Sequence, residues 1–431
     1  MLIGFRVKNW RSIKNEVSFS MLASQERQHG ERLANLAKYR SRLLPAALMF
    51  GGNAAGKSNF IHAISFMKEF ILRSPQMNQG IRGYAPYAFD ETTRFGPSEF
   101  EIELFLENYI YRYSFTIDAK SVLQESLVRI LTTREQILFE RKSSEPFFLD
   151  SSFKDDERKR LEFAYLGTQQ NELFLSNTVD QNIDSFKCIF TWFDHNLQII
   201  NPSTQLMPVP EILAVCNQYM PLLDTSVRRL EFREVSHSYI PKELLENIDN
   251  KLSANGAALC GSEIGERFFL TKNEDNSIDL RLLFSFHTNT NGEEYKINFS
   301  EESDGTKRLF DVLPAFVGDI DKTTILIDEI DRSLHSIITM QLFHFFLERS
   351  KKCHNRQIIA TTHDLQLMTQ DLFRRDEMWI LERREDGTNL IPLSDFVDIR
   401  YDKDIRKSYL EGRMGGVPQV MLPLPNLEDC E

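Results

Sequence analysis

The sequence has no long apolar run. Even the stretch 43–50 falls far short of the ~18 residues that span a bilayer, so no membrane insertion is expected. The opening MLIGFRVKNWRS lacks the basic-then-apolar pattern of a secretory signal. Cysteine is scarce: Cys188, Cys216, Cys260, Cys353 and Cys430 are scattered, with no CxxC pair and no Cys/His cluster. That excludes a disulfide framework and a structural zinc site, and reads as reduced thiols in a cytoplasmic protein. Positive charge is short as well. With 51 Lys and Arg against 63 Asp and Glu the net charge is -12, whereas a protein devoted to non-specific nucleic-acid binding is normally basic. Sustained heptads, internal repeats and low-complexity segments are missing, so no long coiled coil or solenoid is expected.

What is present is an ordinary globular composition, 42% hydrophobic and 26% charged. At 431 residues the chain exceeds the size at which one core usually keeps growing. Its texture divides it into 1–154, 155–275 and 276–431. The first part alternates at Ile3, Phe5 and Val7 and at Val17, Phe19 and Met21, which predicts half-buried strands. Residues 22–42 read as a loop. The run 43–50 predicts a buried strand, and Phe60, Ala63, Ile64, Met67, Phe70 and Ile71 follow helical spacing. Alternation at Phe100, Ile102 and Leu104 and at Tyr109, Tyr111, Tyr113 and Phe115 predicts a hairpin turning at Glu107-Asn108. More strands are expected near 127–131 and 136–140. The middle part has helix-like stretches at 155–165 and 242–252 and reads as a mostly helical insertion. In the last part strands at 278–286, 295–299, 324–327 and 357–360 alternate with helices. The expected fold is α/β, a mainly parallel sheet with flanking helices plus an antiparallel β subdomain.

Four short segments carry chemistry. Gly51-Gly52-Asn53-Ala54-Ala55-Gly56-Lys57-Ser58, followed by Asn59, matches GxxxxGK[ST] between a strand and a helix. Small residues let backbone N–H groups surround phosphate oxygens; Lys57 supplies a point charge, Ser58 a hydroxyl for Mg²⁺, and the helix its positive end. Ile325-Leu326-Ile327-Asp328-Glu329 places two carboxylates at the C-terminal edge of a sheet: Asp328 suits Mg²⁺, Glu329 suits a general base. Acids at strand ends are common, and it is the P-loop upstream that gives these two their meaning. Thr361-Thr362-His363-Asp364 ends the next strand. Ser303-Asp304-Gly305-Thr306-Lys307-Arg308 opens a helix, where small residues and free N–H groups again suit an anion, or an ordinary cap.

In that order these segments resemble the ABC/SMC-like ATPases, a class that includes RecF and OLD proteins. More narrowly the chain is similar to the AAA15-type ATPases of bacterial anti-phage and abortive-infection systems. That likeness extends to Asn9-Trp10-Arg11-Ser12-Ile13, Asp331-Arg332-Ser333-Leu334-His335 and Tyr409-Leu410-Glu411-Gly412-Arg413. Within the group the ATPase subunit of PARIS-type systems is the most specific resemblance. It implies that ATP with Mg²⁺ is bound and hydrolysed between two copies. Lys57, Ser58, Asp328, Glu329 and His363 of one copy would then face Ser303 and Gly305 of the other, with Asp331 at the seam. It further implies homo-oligomers up to a hexamer, an effector nuclease encoded nearby, and a phage-derived trigger. The competing reading is a RecF/SMC-like DNA-repair ATPase that clamps DNA, for which a coiled coil or basic surface would be needed. A Gln that helps hold Mg²⁺ has two candidates, Gln136 and Gln181. Arg11 either approaches the nucleotide or sits on a strand edge. The tyrosines 109–113 read as sheet packing. The basic clusters at 158–160, 228–229 and 374–384 read as solvated faces.

Overall fold

The computed structural model describes residues 1–73, 79–240, 256–262, 265–318, 322–396 and 404–417. The chain forms two compact units. The first comprises Met1–Ile199, Asp321–Asp328 and Ser350–Glu431; the second comprises Ile200–Ile320 and Glu329–Arg349.

In the first unit the alternating segments become a seven-stranded antiparallel sheet. Its spatial order is Glu145–Leu149, Glu135–Lys142, Val122–Ile130, Tyr109–Ile117, Ser98–Leu106, Leu2–Lys8, Val17–Ser20. Glu107 and Asn108 have φ of 48° and 64°, the left-handed pair that a two-residue hairpin loop requires. A second sheet runs Leu197–Ile200, Thr324–Ile327, Gln357–Thr362, Ala46–Phe50, Met378–Arg384, Gly387–Pro392. The strands Thr324–Ile327, Gln357–Thr362, Ala46–Phe50 and Met378–Arg384 are parallel. Every residue of Ala46–Phe50 is buried, as expected of a strand covered on both faces. The helix Lys57–Leu72 packs its Phe60, Phe66 and Phe70 onto Phe5, Phe100 and Phe115 of the antiparallel sheet and onto Trp10 just beyond its strand Leu2–Lys8. Ala47, Met49, Leu326 and Ile359 belong to the same core, so one apolar layer ties both sheets to this helix.

The second unit departs from the expected helical insertion. Helices do dominate 155–196, within the first unit, and return at Pro210–Tyr219 after the strand Leu197–Ile200. Beyond them, Arg229–Glu234, Ala257–Gly261 and Arg267–Lys272 are strands. They join Ile278–Thr288 and Glu294–Asn298 in an antiparallel sheet over a small core of Phe268, Leu270, Leu280 and Leu282. Short strands that bury one face of two or three residues leave little alternation to read. The expected helix at 242–252 lies outside the described residues.

The charged run 374–384 divides: Arg383 and Arg384 are exposed as expected, while its start is the opposite of a solvated face. Arg374 is fully buried; its guanidinium binds both carboxylate oxygens of Asp376 at 2.8 and 2.6 Å and donates to the carbonyls of Glu26 and Gln28. Ser24 also donates to Asp376, and Arg32 pairs with buried Glu377 at 2.5 Å. This network pins the polar segment 24–32, which sequence reads as plain loop. Burial pushes the Glu377 carboxyl up to about 7, only partly opposed by Arg32. The cluster 158–160 lies in the helix Asp155–Gly167 with Lys159 and Arg160 exposed, as expected. Tyr111 and Tyr113 are sheet packing, and the Tyr113 hydroxyl donates to buried Glu125.

Candidate nucleotide site

The strand Ala46–Phe50 runs into a loop that reverses at Ala54, φ 61°, and Gly56, φ 104°. A Cβ on Gly56 would lie 2.2 Å from the Thr388 hydroxyl, so a side chain is barred there both by space and by backbone conformation. Thr388 Oγ1 lies 2.9 Å from Ser12 Oγ and 3.1 Å from the Ala55 carbonyl, and Asn59 Nδ2 donates to Ser12 Oγ at 2.8 Å. Asn59 therefore braces the loop from behind, through Ser12 of the NWRS segment. The same segment uses Asn9 as a staple: its amide donates to the Thr93, Gly96 and Pro97 carbonyls and accepts from the Tyr87 N–H. Trp10 is core, tilted against Phe66 and edge-on to Phe100.

The helix Lys57–Leu72 starts at Gly56 with no side-chain cap, and its first internal bond runs from the Phe60 N–H to the Gly56 carbonyl. The amides of the first turn are the groups that a helix end normally satisfies with a cap, water or an anion. Lys57 is buried, and its ammonium donates to the Gly51 and Gly52 carbonyls at 2.8 and 3.2 Å, with His363 Nδ1 at 3.5 Å. The P-loop lysine and the strand-end histidine, 306 positions apart in sequence, are thus neighbours.

Parallel pairing of Thr324–Ile327 with Gln357–Thr362 carries Asp328 alongside Thr361. Thr361 Oγ1 donates to Asp328 Oδ1 at 2.6 Å, and Asp328 is 3% exposed. The buried Asp328 carboxylate, oriented by a hydroxyl, and the Ser58 hydroxyl of the P-loop are both hard-oxygen donors. Mg²⁺ takes one or two such protein ligands beside phosphate oxygens, and the residues fit it. Among the described residues no three His, Cys, Asp or Glu form a protein-only metal cage. His62, one turn beyond Ser58, escapes sequence reasoning because nothing marks it as chemical. Burial and then the Arg11 guanidinium lower its pKa, while Asp328 opposes them. Arg11 is exposed in a tight turn with φ 47°, not on a strand edge, and its charge reaches the side of the helix that carries His62.

In the second unit the helix Asp304–Val317 is capped by Ser303, whose hydroxyl accepts from the Thr306 N–H at 3.1 Å. Glu302, just before it, is held by Ser285 and by His287 Nε2. Gly305 approaches the Ser333 carbonyl so closely that a Cβ would lie 2.8 Å from it. Arg308 donates to the Asn201 and Glu329 carbonyls, both at 3.1 Å. Glu329 and Ser333 have φ of 50° and 58°, costing roughly 1–2 kcal/mol each in a residue with a Cβ. The sequence shows the acid at 329 but not its strained backbone. Neither glutamine candidate meets a P-loop residue: Gln136 is bonded to Arg129 and Asp150, and Gln181 to Asn177.

The sequence matches, over residues 47–203 and 209–369, the family described as "AAA domain, putative AbiEii toxin, Type IV TA system". Among solved structures, the SMC head domain from Thermotoga maritima is similar at 13% identity and TM-score 0.38, covering 91% of this chain and 98% of that one. An SmcHead bound to the C-winged helix domain of ScpA is similar at 13% identity and TM-score 0.42, covering 91% and 99%. An Smc head with an extended coiled coil, bound to the C-terminal domain of ScpA derived from Pyrococcus furiosus, gives 11% and 0.37, covering 92% and 98%. No curated protein matches significantly. With the P-loop, the buried Asp328 and the matched span in place, the chain belongs to this family of P-loop ATPase domains.

Proposed function

We propose that this protein binds ATP with Mg²⁺ at the P-loop and hydrolyses it slowly between two copies of itself. The cycle holds and releases a toxic effector, a nuclease encoded beside it, in a bacterial antiviral response in the cytoplasm. The observation that carries the ATP part is the uncapped start of the helix Lys57–Leu72 with the buried Lys57 ammonium resting on the Gly51 and Gly52 carbonyls. An ammonium parked on two neutral carbonyls is ready to exchange them for phosphate oxygens, with which it makes stronger charge-assisted bonds.

In this reading amides of the loop 53–58 enclose the phosphates and Lys57 bridges to the terminal ones. Ser58 and Asp328 would hold Mg²⁺, which when bound neutralises phosphate charge. Glu329 takes the proton of the attacking water, and His363 contacts the γ-phosphate. Ser303 and Gly305 of the second copy close the other side of the nucleotide, and the turn at Asp331 lies at the seam. The defence role is supported by the toxin and toxin–antitoxin wording of the family description and by the resemblance to AAA15-type ATPases, PARIS-type subunits being its most specific form.

The test is native mass of affinity-purified protein co-expressed with its adjacent genes, with and without ATP. An ATP-dependent dimer or larger core carrying a neighbour-encoded nuclease is the expected result. Protein that purifies alone and binds DNA only with ATP would replace the effector reading with a DNA clamp.

A further inference from the structure

The motif Tyr409-Leu410-Glu411-Gly412-Arg413 has no part in the chemistry above, yet the structure places it beside the nucleotide loop. The helix Ile405–Leu410 is capped by Asp404, which accepts from the Arg406 and Lys407 N–H groups. It ends in a turn in which the Gly412 N–H donates to the Tyr409 carbonyl at 2.8 Å, and the chain then doubles back through Gly415 and Gly416, φ 69° and 72°. The Gly416 carbonyl accepts two bonds. One comes from the Tyr409 hydroxyl at 2.8 Å and the other from the Gly52 N–H, inside the P-loop, at 2.9 Å. Tyr409 is 4% exposed, and burial raises its pKa, so it stays a phenol that donates.

The fit is close on the other side too. A Cβ on Gly416 would stand 2.8 Å from Ile380 Cγ2 and 3.1 Å from the Leu381 carbonyl. Ile380 pairs with Phe50 in the strand next to the one that feeds the P-loop, so the doubled-back segment sits where that loop leaves the sheet. The Gly51–Gly52 peptide is then fixed at both ends: its N–H by Gly416, and its carbonyl, that of Gly51, by the Lys57 ammonium at 2.8 Å. Rotating that peptide would shift both the resting place of Lys57 and the amides that follow.

We infer that residues Tyr409–Gly416 are a strut of the nucleotide site: the Tyr409 hydroxyl fixes the Gly416 carbonyl, which fixes the Gly51–Gly52 peptide in the shape that accepts phosphate. Tyr409 is a positioning residue, and the inference rests on the reading that the P-loop binds ATP. The strut belongs to nucleotide affinity rather than to folding, because Tyr409→Phe keeps the ring and loses only one bond.

The experiment measures ATP affinity, KM and kcat, and the unfolding temperature with and without ATP, for wild type, Lys57→Ala, Tyr409→Phe and Gly416→Ala. Tyr409→Phe is expected to raise Kd and KM roughly threefold to tenfold, the size of one lost hydrogen bond. Its kcat stays within error of wild type, its nucleotide-free unfolding temperature falls by no more than about 2 °C, and the ATP-induced rise in that temperature shrinks. Gly416→Ala, which adds a clash and a strained φ, weakens ATP further. If Tyr409→Phe binds ATP as tightly as wild type, or loses nucleotide-free stability with an unchanged ATP-induced rise, the strut is wrong and the segment is merely packing. Wild-type protein that binds no ATP, or binds it equally well as Lys57→Ala, would instead overturn the P-loop reading beneath it.

Discussion

The two helix starts that carry the nucleotide motifs end differently. The helix Lys57–Leu72 begins at a left-handed glycine and has no side-chain cap, while Asp304–Val317 begins at Ser303 and is capped by it. Among the described residues no side chain caps the first helix start. At the second, Ser303 already accepts from the Thr306 N–H. An anion at the first end therefore completes a structure, whereas an anion at the second must compete with the cap that Ser303 provides. This difference gives the proposed cycle its order. In that proposal a single copy would take up ATP at the uncapped end, and only a nucleotide presented by another copy would draw Ser303 out of its capping role.

Removing the cation at the first end should have the largest effect. Lys57→Ala is expected to raise the ATP Kd more than ~100-fold, since a buried charge-assisted contact is lost, and to erase the thermal shift that ATP confers. Equilibrium binding of a fluorescent ATP analogue reads this directly, and near-normal affinity would break the contrast at its stronger end. Ser303→Ala should act on the other end alone. Loss of the cap costs about 1 kcal/mol of stability, ATP affinity of the single copy stays within about twofold, and the ATP-driven dimer disappears in native mass. A Ser303→Ala protein that still dimerised with ATP would mean that the two ends do not divide the work in this way.

A smaller effect marks a region outside both ends. The folded Glu377 carboxyl sits at about 7, above its usual 4.5. Between those values the folded state holds a proton that the unfolded state has released, so this group favours folding less as pH rises. Urea unfolding of wild type should lose stability between pH 5 and pH 8, and Glu377→Gln should lose less, with ATP affinity unchanged in both. An equal loss in the two proteins would remove Glu377 as the cause.

How much of this was legible follows from the range of each interaction. The P-loop, the strands around it and the hairpin at Glu107-Asn108 are written in contiguous residues, because period, small residues and turn chemistry act locally. The brace of Gly56 by Thr388 joins positions over three hundred residues apart, and nothing near Thr388 announces it. Arg374 looks solvated in sequence because its partners Glu26 and Gln28 come from a distant loop, and Arg375 because its guanidinium donates to the Leu393 and Phe396 carbonyls. The strands of 229–272 bury so few residues per face that helix-like neighbours dominate the pattern. Glu329 was readable as an acid, but its left-handed backbone, held through its carbonyl by Arg308, was not.

The most direct measurement is ATP turnover by Glu329→Gln beside wild type, under conditions where both are saturated with Mg²⁺ and ATP. If Glu329 is the general base, the variant keeps wild-type ATP affinity, hydrolyses at least ~100-fold more slowly, and accumulates as the ATP-bound dimer. Hydrolysis at the wild-type rate would contradict the assignment of Glu329, and with it the account of how this site works.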